Sequence, residues 1–148
     1  MYLAIKLTHL AAAIVWLGGM TFILGALRPV AMAQLQPPVR LPFMAGVLGR
    51  FFVAVWASIA VLLLSGVFML AGVGMKNAPA GWHLMLGVGL LMFAIFGHLY
   101  FGPWRRMKAF VAVANWPEAG RCMGQIHPLV VLNFVLGWLA VALVYLVH

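Results

Sequence analysis

Between Trp82 and Tyr100 the chain reads WHLMLGVGLLMFAIFGHLY, a run without a single lysine, arginine or carboxylate. A helix needs about 20 such residues to cross the ~30 Å hydrocarbon layer of a bilayer. Three further apolar stretches of this kind accompany it, and the four are placed at residues 3–28, 44–73, 80–102 and 123–147. Lipid offers no hydrogen bonds to the backbone, so each stretch must satisfy its own N–H and C=O groups as a helix. Composition agrees. The chain is 67% hydrophobic and 7% charged, where a soluble domain carries roughly 25% charged residues, and its mean hydropathy is +1.15. The expected fold is an all-α integral membrane protein with four transmembrane helices in one domain. Short connections make consecutive helices antiparallel neighbours, giving an up-down-up-down bundle.

The connections are expected where the helix breakers gather: Pro29, Pro37, Pro38 and Pro42; Gly72, Gly74 and Pro79; Pro103, Asn115 and Pro117. The third connection reads as partly helical, because Asn115 followed by Pro117 and Glu118 is a helix-start signature. Arg28, Arg40 and Arg50 flank the first connection, and Arg105, Arg106, Lys108 and Arg121 the third, against Lys6 and Lys76 on the opposite side. Positive residues stay cytoplasmic. The expectation is a multi-pass protein of a bacterial inner (plasma) membrane with both termini periplasmic. The first apolar stretch is longer than a signal-peptide core and lacks a small-residue cleavage site, so it is expected to be retained.

Several chemistries are excluded at once. Glu118 is the one acidic residue, which rules out paired-carboxylate catalysis and an oxygen-ligand site for calcium or magnesium. Cys122 stands alone, so neither an intramolecular disulfide nor a CxxC redox pair can form. The net charge of +8 sits singly at helix ends, where it meets anionic lipid headgroups rather than nucleic acid.

What remains is histidine. His83 and His98 stand fifteen residues apart in the third helix, which is ~22 Å along the axis and ~60° around it. Gly87, Leu90, Ala94 and Gly97 lie between them on that face, forming a groove of mostly small side chains with an imidazole at either end. The topology sorts the histidines by depth. His9 and His83 lie toward the periplasmic side, and His98 and His127 toward the cytoplasmic side; His148 is the last residue and is set apart. Ionisable groups inside a bilayer are costly and usually functional. A neutral imidazole can ligate metal through one nitrogen while the other is hydrogen-bonded.

Two imidazoles from facing helices, with small residues around them, describe a bis-histidine b-type haem site, once or twice: His9 with His83, and His98 with His127. Lys6 would meet the haem propionates at one end, and Arg28, Arg50 or Arg105 at the other. Copper is the alternative metal for the same histidines, because thioether and imidazole suit Cu(I). Met75 is the methionine best placed for such a contact. Hydrogen-bonded structural histidines are the third reading. The six tryptophans are read mainly as interface anchors, with Trp16 seven residues after His9 as a flank for a ligand. Asn133 is expected to bond across helices.

Two segments resemble a known family. Lys6-Leu7-Thr8-His9 followed by Trp16-Leu17-Gly18-Gly19 is similar to the first helix of CopD-type copper-resistance membrane proteins. Phe96-Gly97-His98-Leu99-Tyr100-Phe101-Gly102-Pro103-Trp104-Arg105-Arg106 resembles a helix end in small CopD-like proteins, and Leu132-Asn133 also fits. The four-helix pattern is similar to HemJ-type protoporphyrinogen oxidases, which are associated with b-type haem. Where those carry an Asn-Glu-Val-Pro-like segment, this chain has Gln125-Ile126-His127-Pro128. Larger CopD proteins carry about twice as many helices, so this chain corresponds to half of one or forms a homodimer. The resemblance implies copper handling or haem, and carries over to His9, His98 and His83. The expectation is a membrane b-type haem protein that passes electrons through its histidine pairs between a donor and an acceptor, a quinone being one option. CopD-like copper binding or transport through the same histidines is the alternative.

Overall fold

A computed structural model describes Met1–Val147; His148 lies outside the described residues. Four helices are long and apolar enough to cross a membrane: α1 (Tyr2–Gln34), α2 (Pro37–Val73), α3 (Ala80–Ala112) and α4 (Trp116–Leu146). The described residues contain no strand. The all-α, four-helix expectation holds, and the chain is a multi-pass membrane protein.

The helices outrun the stretches expected for them. α2 alone has 37 residues, ~55 Å at 1.5 Å per residue, well beyond one hydrocarbon thickness. Prolines expected in linkers lie within helices, because each occupies a position that tolerates it. Pro37 and Pro38 form the first turn of α2, where a backbone N–H has no acceptor to lose. Pro42 forgoes one bond just inside that helix. Pro29 follows a π-helical turn at Ile23–Leu27, and Pro103 sits within another at Tyr100–Trp104. A widened turn relieves the clash between a proline ring and the carbonyl four residues back. The first connection therefore shrinks to Leu35 and Gln36. The third shrinks to residues 113–115, and Asn115 caps α4 with its side chain accepting from the Glu118 N–H at 3.4 Å.

α1 packs most extensively on α2, and α3 on α4. Within each pair the helices run in opposite directions. His9 meets Ser65 while Arg28 shares a cleft with Arg40; Gly81 meets Leu143 and Val147 while Arg106 donates to Gln125 at 3.1 Å. The pairs join through an aromatic seam. Trp16 of α1 stacks on Phe93 of α3 at 5.8 Å, and Phe52 of α2 meets Phe96 at 5.3 Å and Trp104 at 5.0 Å, both edge-on. Edge-to-face rings at these separations add roughly 0.5–1.5 kcal/mol per pair beyond buried area. Trp16 and Trp104 are thus core residues rather than interface anchors, both buried among these rings. Asn133 bonds across helices as expected, donating to the Met92 carbonyl at 3.2 Å.

Small residues set the closest helix approach. A Cβ at Gly81 would lie 2.5 Å from the Val147 carbonyl oxygen and 2.7 Å from that of Leu143. Those are backbone atoms and cannot swing aside, so Gly81→Ala must push α3 from α4. Overpacking of this kind costs about 1–3 kcal/mol. A Cβ at Gly87 meets nothing within 4 Å. Thermal unfolding in detergent should show a lower midpoint for Gly81→Ala and an unchanged or higher one for Gly87→Ala.

Candidate functional site

The inward stripe of α1 runs His9, Ala12, Trp16, Met20 and Ile23, at the spacings of three and four that keep side chains on one helix face. The last four are buried and His9, nearest the N-terminus, is half-buried. Its Nδ1 lies 2.7 Å from the Oγ of Ser65 in α2, itself buried. A single proton on that hydroxyl decides the arrangement. Ser65 Oγ makes its shortest contact with the Val61 carbonyl one turn back, and a second at 3.3 Å with that of Leu62. A carbonyl oxygen only accepts, so a serine proton directed to either one is spent on its own helix. Ser65 Oγ must then accept from the imidazole, which puts the His9 proton on Nδ1 and leaves the Nε2 lone pair free.

In that arrangement one ring nitrogen is held by a second residue and the other is available. The ring edge also lies against α2 backbone, with His9 Cε1 3.7 Å from where a Cβ at Gly66 would stand. A side chain at that position would still fit in ordinary contact. The ring is therefore supported by the Ser65 bond and the α2 surface together.

The other histidines are placed differently. His83 and His98 are exposed, as are Gly87, Leu90 and Ala94 between them. The buried residues of α3 are Gly81, Met92, Phe96 and Leu99 on the opposite side. The groove read from the spacing exists, but it faces away from the bundle of a single chain. His127 of α4 is half-buried, within electrostatic reach of Arg28. Neither His9 with His83 nor His98 with His127 forms a hydrogen-bonded pair, and among the described residues no three His, Cys, Asp or Glu side chains converge. Lys6 is exposed, its Nζ 4.7 Å above the Tyr2 ring, and Arg50 and Arg105 are exposed as well. Met69 sits one turn beyond Ser65 on α2, half-buried, and Met75 is 57% exposed in the turn at Met75–Asn77.

Ser65 is the partner of His9 that pattern reading leaves among generic core polars. The signal lies in hairpin register. Folding the chain back at Leu35–Gln36 brings His9 level with Leu62–Gly66, and Ser65 is the polar residue of that stretch. Ser65→Ala should release the tautomer. In ¹⁵N-histidine spectra of the neutral protein, His9 should hold its proton on Nδ1, whereas Ser65→Ala should show both tautomers exchanging. An unchanged His9 signal in the variant would show that Ser65 does not orient the ring.

Comparison with known proteins covers most of this architecture. Residues 45–147 match the family described as copper resistance protein D (CopD). The matched segment holds Ser65, Met69, Met75, His83, His98 and His127, and begins after the helix that carries His9. No curated protein and no solved structure matches the chain. With all of α3 and α4 and most of α2 inside the match, the chain belongs to the copper resistance protein D family.

Proposed function

We propose that this chain binds copper in the membrane, with the Nε2 of His9 as its ligand, and passes the ion along the bundle. The observation that carries the reading is the 2.7 Å contact between His9 and Ser65, which leaves a free imidazole lone pair at one end of the protein. The family's printed description supplies the metal. Imidazole together with thioether suits Cu(I), and Met69 and Met75 on the same hairpin end offer the sulfur. Electrostatics favour that end for a cation. Seven lysines and arginines, Arg28 to Arg50 and Arg105 to Arg121, gather at the opposite end, while only Lys6 and Lys76 stand near His9. With the termini periplasmic, as the positive-inside rule gives, copper would meet His9 from the periplasm.

A b-type haem is the second reading, and one observation favours it. The outer face of α3 carries His83 and His98 with Gly87 and Ala94 between them, all exposed. A second copy of the chain laid on that face would enclose a surface flat enough for a porphyrin. Electron transfer between a donor and a quinone or other acceptor belongs to that reading.

Anaerobic Cu(I) titration of the detergent-purified protein against a chromophoric chelator separates the two. Wild type should take up one tightly held Cu(I) per chain, and His9→Ala should lose it. Ser65→Ala should weaken binding by about 10–100-fold, the usual effect of removing a ligand's supporting hydrogen bond. His83→Ala and His98→Ala should bind as wild type does, and the dithionite-reduced minus oxidised spectrum should lack a b-type band. Wild-type affinity in His9→Ala would overturn the proposal, and a sharp b-type band that His83→Ala abolishes would establish the haem reading in its place.

A further inference from the structure

At the end opposite His9, the structure assigns a site for one phosphate-bearing anion to the cleft between Arg28 and Arg40. Arg28 of α1 and Arg40 of α2 line this cleft together, with Ala31, Met32, Leu41, Met44 and Met123 as its apolar walls. Arg28 is half-buried, and its Nε is withdrawn from the surface with no hydrogen-bond partner among the described residues. Arg40 spends one Nη on the Leu35 carbonyl at 3.1 Å, which ties it to the connection and leaves its remaining donors uncommitted.

The backbone turns Arg28 inward. In the π-helical turn at Ile23–Leu27 the N–H of Arg28 bonds to the carbonyl of Ile23, five residues back. The wider turn sets Arg28 between Ile23 and Ala31, both buried, so a cation is carried toward the neighbouring helices. Single π turns within long α-helices are frequent at functional sites.

Two guanidinium groups in one partly desolvated cleft repel unless a negative charge joins them. The chain cannot supply it, for Glu118 is its one carboxylate and stands 3.8 Å from Arg121. The counter-charge must come from outside. A guanidinium presents Nε–H and Nη–H as a planar fork that matches two oxygens of a phosphate. The enclosed part of the cleft has a volume of about 10 Å³, room for one water-sized group. One phosphate oxygen can enter it to reach Arg28 Nε while the rest of the anion stays at the open side beside Arg40. The anion is either an anionic lipid headgroup or free phosphate, and both use the same donors.

The test follows thermal unfolding of the delipidated protein in an uncharged detergent. Phosphatidylglycerol in the mixed micelle, phosphatidylcholine in its place, or inorganic phosphate is added in turn. The site predicts a saturable rise of several degrees with phosphatidylglycerol or with inorganic phosphate, reduced in Arg40→Gln and lost in Arg28→Gln. A rise with phosphatidylglycerol alone makes the occupant a lipid headgroup, and a rise with inorganic phosphate makes it a soluble phosphate. An Arg105→Gln/Arg106→Gln variant, changed at exposed cations of the same end, should keep the wild-type rise. Should Arg28→Gln fail to accumulate, Arg28→Lys keeps the charge without the fork, and its half-saturating concentration should rise at least about tenfold. The proposal is overturned if no addition raises the midpoint, if Arg28→Gln or Arg28→Lys responds as wild type does, or if the Arg105/Arg106 variant loses the rise equally.

Discussion

In hydrocarbon a polar group without a partner is expensive, and this molecule is organised around that cost. Long unbroken helices are one consequence, for they satisfy the backbone without help. The pairing of the few inward polar side chains is the other. Ser65 turns its proton back to its own helix and so becomes an acceptor for His9. Asn133 gives its amide to Met92 on the neighbouring helix. Two buried atoms are exceptions among the described residues, the Oδ1 of Asn133 and the Nε of Arg28, and of the two only Arg28 carries a charge.

The rest of the bundle is apolar packing that holds these few groups in register. Rings from three helices interlock along the seam from Trp16 through Phe93, Phe96 and Phe52 to Trp104. A glycine sets the approach of the second pair, where Gly81 brings α3 against the α4 backbone. Because the α1–α2 pair is fixed along its length, the position of His9 relative to Ser65 at one end is tied to that of Arg28 relative to Arg40 at the other. The proposed copper ligand and the proposed anion cleft thus lie at the two ends of one hairpin.

Much of this is legible in the residues alone. Four apolar runs of bilayer length leave no other class of fold, and the Asn115 cap and the cross-helix role of Asn133 follow from residue type and place. The CopD resemblance is matched over residues 45–147, which takes in the motif around His98 and leaves the one around His9 outside. Helix ends are less legible. Proline signals a break only on average, and Pro37, Pro38, Pro29 and Pro103 fall at first turns or π turns that accept them. Facing directions are the least legible. The fifteen-residue spacing puts His83 and His98 on one face of α3, but a small-residue groove reads alike whether it faces a neighbouring helix or lipid. Only packing shows that Met92, Phe96 and Leu99 take the inner side.

The central claim is that His9 presents a free Nε2 to copper because Ser65 holds its other nitrogen. X-ray absorption at the copper K-edge, on protein loaded anaerobically with one equivalent of Cu(I), tests it most directly. The account predicts the outer-shell scattering of a coordinated imidazole in the wild-type protein, together with a sulfur shell, and loss of the imidazole component in His9→Ala. An imidazole signal of equal amplitude in His9→Ala, or a wild-type spectrum without one, would contradict it.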